Sequence, residues 1–201
     1  MDVAVPVLAF LGAFLIGSIP FGYIIGRVFY HTDIRSRGSG NIGAMNALRT
    51  MGKTGAIAVL LLDALKGFAP TLWALVFFRG QVAAVAASGA VLGHCFSPWL
   101  RFRGGKGVAT SFGALFALCW PAGLVAVAGW AAGAIVSRYS SVGSLVGSIA
   151  APFAVFGFTG SLPETLYAVF AALLVIFTHR GNIARLRAGT EDAIRPFRRP
   201  A

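Results

Sequence analysis

The chain has 201 residues, 57% of them hydrophobic and only 11% charged, with a mean hydropathy of +0.80 and a formal net charge of +11. Soluble domains carry about 25% charged residues, so this composition excludes an ordinary soluble domain and points to an integral membrane protein. The positive balance would suggest a nucleic-acid partner in a soluble chain. Here the gathering of Lys and Arg on one side of a membrane accounts for it, and no nucleic-acid binding is expected.

Apolar runs set out the chain in order. Val3 to Ile25 is the first, bent at Pro20 and closed by Arg27. No basic region precedes it, so it reads as a span rather than a cleavable signal. Residues 31–54 are polar and read as a loop. Gly55 to Phe78 is the second run, with a short turn at Arg79-Gly80-Gln81 before the third, Val82 to Phe96. A cationic loop follows. Residues 108–136 form a 29-residue apolar stretch, either one tilted helix or two short ones broken near Trp120-Pro121; the break is the reading that gives an odd span count and puts Arg138 on the side of the other cations. Ser137 to Ser141 leads into Val142 to Phe158. A turn at Thr159 to Pro163 precedes the last run, Leu166 to Thr178, and a basic tail occupies residues 179–201. Cys95 and Cys119 show no metal-ligand spacing and read as small apolar fillers.

Charge placement chooses the topology. Arg27, Arg35, Arg37, Arg49 and Lys53 precede the second span. Arg101, Arg103 and Lys106 follow the third, Arg138 stands alone, and the tail carries Arg180, Arg185, Arg187, Arg195, Arg198 and Arg199. These groups hold 15 of the 17 Lys and Arg residues. All face the cytoplasm if the N-terminus, with only Asp2, lies outside and the span count is odd. The expectation is one all-α membrane domain over residues 1–201, with about seven transmembrane helices, N-terminus outside and C-terminus cytoplasmic. Several runs fall short of the ~20 residues a full crossing needs, so some are half-helices.

Three polar clusters then share one membrane face. The first is Gly38-Ser39-Gly40-Asn41-Ile42-Gly43-Ala44-Met45-Asn46-Ala47-Leu48-Arg49, whose glycines, Ser39, Asn41 and Asn46 supply donors and whose Arg49 supplies a planar fork for phosphate. The second runs from Gly93-His94 to Gly104-Gly105-Lys106-Gly107. Its glycines allow backbone N–H groups to approach an anion, and a helix opening after Lys106 favours the same charge. It is not a nucleotide loop, because Gly107 stands where Ser or Thr would hold magnesium. Arg101 and Arg103 are read mainly as topology signals, and His94 as structural. The third cluster begins at Thr178-His179. His179, Asn182 and Arg185 recur at helical spacing, and His179 is either a general base or a donor to phosphate. Ser141 adds a hydroxyl. Asp63 and Lys66, at i and i+3 inside the second span, read as a structural ion pair.

These motifs, in this order and with Asp63 and Leu65-Lys66-Gly67, resemble the bacterial acyl-phosphate:glycerol-3-phosphate acyltransferases, the PlsY family. The resemblance implies seven membrane helices in the bacterial inner membrane and a cytoplasmic site. It implies transfer of a fatty acyl group from acyl phosphate to the 1-hydroxyl of glycerol 3-phosphate, giving lysophosphatidic acid and phosphate. A soluble acyl-phosphate-forming enzyme is the implied partner beside membrane lipid, and no cofactor or metal is expected. Ser39, Arg49, Lys106, Ser141, His179 and Asn182 are the implied substrate-binding set. Gly40, Asn41, Asn46, Gly104, Gly105 and Arg185 join it from the motifs, with Lys106 and His179 as the catalytic pair. Met45 stands where the family usually has Thr, and Ser97-Pro98 puts the proline one residue late. The rival class is an organic-phosphate or anion transporter, which would need polar groups near the midplane rather than at one face.

Overall fold

A computed structural model describes residues 3–194, and among them there are nine α-helices and no β-strand. Asp2, Arg195, Arg198 and Arg199, which entered the charge count, lie outside the described residues. Helix α1 spans Ala4–Gly17 and α2 Phe21–Phe29, separated at Ser18–Pro20. Pro20 cannot donate an N–H and holds a non-helical ψ of 72°, so the first apolar run breaks there. Helix α3 is the longest, Ala44–Phe78, and is interrupted at Gly52, whose φ of +74° a side chain would strain.

The start of α3 corrects the expected loop over residues 31–54, because residues 44–51 are helical. Asn46 explains the difference. Its buried side-chain amide donates to the carbonyls of Ile34, Arg37 and Asn41 and accepts from the N–H of Ser39. One side chain on a helix therefore ties down the turn before it. Such a role is invisible in a stretch whose composition is polar.

Helix α4, Gly80–Cys95, is the most enclosed element, with Val82, Ala83, Ala87, Ala90 and Val91 fully buried. It packs between α1, α3 and the later helix α8. Helices α5, Val108–Leu118, and α6, Trp120–Ser137, divide the long apolar stretch at Cys119, and Pro121 sits in the first turn of α6. Helix α7 spans Ser140–Thr159, α8 Leu162–Thr178 and α9 Arg180–Arg187. Close backbone approach holds the bundle together. A Cβ on Gly67 would stand 2.0 Å from the Thr110 carbonyl, and one on Gly113 2.0 Å from that of Ala64, so α3 and α5 touch backbone to backbone. Outward positions such as Val76, Ile135 and Phe153 are apolar and exposed, as a lipid-facing surface requires.

All seven expected apolar runs are helical. Five segments have the length and composition to cross a membrane: 4–29, 44–78, 80–100, 120–137 and 140–159. Helix α8 joined to α9 through a 55° bend would make a sixth. The eleven residues of α5 reach only about 16 Å, roughly half a hydrocarbon core.

Within this core Lys66 Nζ lies 2.8 Å from Asp63 Oδ1, and both side chains are 2% exposed. Lys66 also donates to the Ile19 carbonyl at 2.8 Å, capping the α1–α2 break, and His94 Nδ1 stands 3.6 Å from Asp63. Removing one member would strand a buried charge at a cost of about 3–5 kcal/mol. Asp63→Ala is therefore expected to lower the thermal unfolding midpoint of detergent-solubilised protein sharply. The double change Asp63→Asn with Lys66→Met should recover most of that loss.

Candidate active site

The three polar clusters and the apolar interior meet in one cavity of about 830 Å³. Its polar end is lined by Ser39 from the turn before α3, Arg49 from α3, Lys106 from the loop before α5 and Ser141 from the first turn of α7. His179 at the α8–α9 junction, with Asn182 and Arg185 from α9, completes that end. Its apolar end runs between α3, α5 and α6 past Ile57, Leu60, Phe112, Val127 and Trp130, and Asp63 and His94 also reach its wall.

Lys106 sits where the elements cross. Its Nζ donates to Asn182 Oδ1, and its backbone carbonyl accepts from Thr178 Oγ1 at 3.0 Å. Burial pushes its pKa down to about 8; Glu191 opposes that shift, while Arg185 and Arg49 add to it. The uncapped first turn of α5 lines the same space through Gly107, Val108 and Ala109, adding the positive end of a helix dipole. His179 is buried, and its Nδ1 donates to the Val175 carbonyl at 2.8 Å, since a carbonyl can only accept. The neutral ring thus keeps its lone pair on Nε2.

Several expected site residues take other roles. The N–H groups of Gly104 and Gly105 do not face the cavity; they donate to the carbonyls of Cys95 and His94, both at 3.0 Å. The glycines dock the loop on the C-terminal end of α4 instead of cradling an anion, and neither lines the cavity. A Cβ on Gly105 would stand 2.0 Å from His94 Nε2, so there is no room for one. Gly40 lines a neighbouring cavity. Asn46 shapes the first turn from within while it lines the main cavity, and Asn41, which also lines it, accepts from the Gly43 N–H at 2.8 Å.

The residue that sequence reasoning missed is Glu191. Its carboxylate accepts from Ser141 Oγ at 2.7 Å, from Asn182 Nδ2 and from Arg185 Nε at 2.8 Å. Burial works against this charge, but the hydrogen bonds from Asn182, Ser141 and Arg185 outweigh it and hold the pKa below that of an ordinary glutamate. Gly189, at φ +69°, reverses the chain after α9, and the Ile194 N–H donates to the Arg138 carbonyl at 2.8 Å. Residues 188–194 therefore fold back over the cavity, and Asp192 approaches Arg49 at 3.7 Å. Two carboxylates thus partly neutralise the cations of the site. A lone acidic pair in a basic tail was the available signal.

A family model described as glycerol-3-phosphate acyltransferase matches residues 7–189. A glycerol-3-phosphate acyltransferase of Rhodopseudomonas palustris (strain BisB5) is 47% identical over 192 residues, covering 96% of this chain and 97% of the relative. The chain belongs to the glycerol-3-phosphate acyltransferase family. A relative from Synechococcus sp. (strain JA-3-3Ab) is 46% identical over 93% of this chain and 92% of its own. The fold matches a crystal structure of PlsY (YgiH), an integral membrane glycerol 3-phosphate acyltransferase, in its glycerol 3-phosphate form. That match has a TM-score of 0.90 and 35% identity over 94% of each chain. The lysophosphatidic acid form of PlsY matches with a TM-score of 0.87 at 34% identity, again over 94% of each chain.

For this acyltransferase the Lys106 environment gives a pH dependence. Only a protonated ammonium attracts an anion, so any anion held by Lys106 would be released as pH rises through about 8. In the free enzyme kcat/KM is expected to fall above that pH, approaching about tenfold per pH unit. Steady-state profiles check this, and Lys106→Ala should remove the alkaline limb from whatever activity remains.

Proposed function

We propose that this acyltransferase takes its acyl group from acyl phosphate and passes it to the 1-hydroxyl of glycerol 3-phosphate, without an acyl-enzyme. The observation that carries this reading is the continuity of the cavity. A mouth lined by Arg49, Lys106 and Arg185 runs into an apolar groove between α3, α5 and α6, so a phosphate and a fatty chain fit in one piece. Both substrates then present phosphate to the same cationic mouth.

Acyl phosphate is a mixed anhydride with a good leaving group, so the acceptor hydroxyl can attack its carbonyl carbon directly. The new ester C–O bond forms as the bond to the phosphate oxygen breaks, and the hydroxyl proton passes to a phosphate oxygen of the substrate. Nε2 of His179 is the second acceptor within the site. Lys106 and the first-turn amides of α5 stabilise the departing phosphate, and Arg49 clamps glycerol 3-phosphate. Among the described residues no Ser or Cys hydrogen-bonds to a histidine: Ser141 is engaged by Glu191 and His179 by Val175. That favours direct attack over a nucleophilic serine.

The convergence of all three cationic clusters on one cavity supports the topology argued from charge, with this face toward the cytoplasm of a bacterial inner membrane and the N-terminus outside. The donor would come from a soluble enzyme that makes acyl phosphate. Purified protein given acyl phosphate and glycerol 3-phosphate should release phosphate and form lysophosphatidic acid, whereas acyl-CoA should not replace the donor. Equal turnover with acyl-CoA would overturn the donor assignment.

A further inference from the structure

We propose that a second cavity, beside the acyl-transfer site, binds the phosphate headgroup of an anionic membrane lipid. It encloses about 750 Å³ and is lined by Tyr23, Arg35, Trp99, Arg101 and Arg103, with Asp33 as its one acidic member. The first-motif turn forms the wall between the two cavities: Ser39 and Asn41 face the transfer site, and Gly40 faces the second.

The cations of this cavity are unevenly committed. Asp33 is shared by Arg27 at 3.0 Å and Arg35 at 2.7 Å, and the Arg35 guanidinium lies 4.5 Å from the Tyr23 ring centre. The side chains of Arg101 and Arg103 have no hydrogen bond or ion pair among the described residues. Two guanidinium groups are thus left for an anion, and guanidinium matches phosphate through paired hydrogen bonds.

A topology signal would need only charge, and this turn is built far beyond that. Arg101 and Phe102 both hold left-handed backbone conformations, at φ +53° and +60°, which non-glycine residues rarely adopt. The turn is kept there by the Phe102 N–H donating to the Ser97 carbonyl at 2.9 Å and by Ser97 Oγ donating to the Ser18 carbonyl at 2.6 Å. Trp99 Nε1 donates to Ser18 Oγ at 2.8 Å, which fixes the indole although 66% of the residue is exposed.

The surroundings decide for a lipid. Residues 101–103 follow directly on the segment 80–100, which is long and apolar enough to cross the membrane, so the turn stands at the bilayer edge. Trp99 and Phe102, 66% and 63% exposed, bracket Arg101 on that edge. Aromatic rings at headgroup level beside paired arginines fit a lipid whose phosphate enters the cavity while its chains remain in the leaflet.

The test titrates delipidated protein in neutral detergent with phosphatidylglycerol, phosphatidylcholine or inorganic phosphate and counts retained molecules by native mass spectrometry. Wild type should retain phosphatidylglycerol in preference to phosphatidylcholine, and inorganic phosphate should not displace it. The double variant R101Q/R103Q should weaken that retention about tenfold or more, while Lys106→Ala leaves it unchanged. In lipid-free detergent the double variant should acylate glycerol 3-phosphate at the wild-type rate, which also reports its fold. As a measurement on the unaltered protein, a photoreactive phosphatidylglycerol should label peptides containing residues 33–36 and 97–103. Undiminished retention by R101Q/R103Q, or labelling confined to other segments, would overturn the site. Displacement by inorganic phosphate at comparable concentration would overturn the lipid as its occupant.

Discussion

Replacing Lys106 by alanine should cut acyl transfer about a thousandfold while the protein still folds, the scale expected when a preorganised charge at a leaving group is removed. Lys106 lies in the cavity with Arg49, Arg185 and the first turn of α5, and its hydrogen bond to Asn182 holds the ammonium in that positive field. Its contact with α8 runs through the backbone, from Thr178 Oγ1 to the Lys106 carbonyl, and alanine keeps that bond. What disappears is the charge and the hydrogen bond to Asn182. Steady-state kinetics on purified Lys106→Ala, with thermal unfolding as the fold check, reads the effect. Undiminished turnover would remove Lys106 from the chemistry.

Gly105→Ala should be nearly as damaging, for a different reason. The new methyl would stand 2.0 Å from His94 Nε2, with further His94 ring atoms at 2.7 and 3.0 Å. His94 has little freedom to retreat, because it is 4% exposed and lies against Asp63, itself paired with Lys66. The loop must move instead, carrying Lys106 with it. A displacement near 1 Å costs about a hundredfold in kcat/KM when geometry sets the rate. Gly181→Ala, where a Cβ meets only Arg185 Nη1 at 3.6 Å, should leave kcat/KM near wild type. Kinetics on the two variants side by side separates loop displacement from a general sensitivity to added methyl groups.

Much of this architecture was legible in the sequence because membrane helices announce themselves. Each apolar run is helical, the first of them in two pieces, and Pro20 and Pro121 stand at or beside real breaks. The polar clusters were legible because glycine, histidine and cations have few other reasons to recur between apolar runs. What sequence could not supply was the direction of individual groups. Gly104 and Gly105 promised N–H donors for an anion, yet the end of α4 lies close enough to take both. Asn46 promised a ligand contact, yet its amide serves the preceding turn. Glu191 lies fifty residues from Ser141, and only the reversal at Gly189 brings them together. The first two turn on how a nearby stretch folds back, over 5 to 12 residues, and the third on packing across fifty; neither is encoded in local composition. The short runs were legible as half-helices, and α5, helical and apolar but half the length of a crossing, is one of them.

The most direct test of direct attack is a single-turnover experiment with acyl phosphate and no acceptor, following phosphate release and the intact protein mass together. Direct attack predicts no burst of phosphate and no acylated protein until glycerol 3-phosphate is added, when phosphate and lysophosphatidic acid appear in equal amounts. A burst matching the enzyme concentration, with an acyl adduct on the protein, would contradict it.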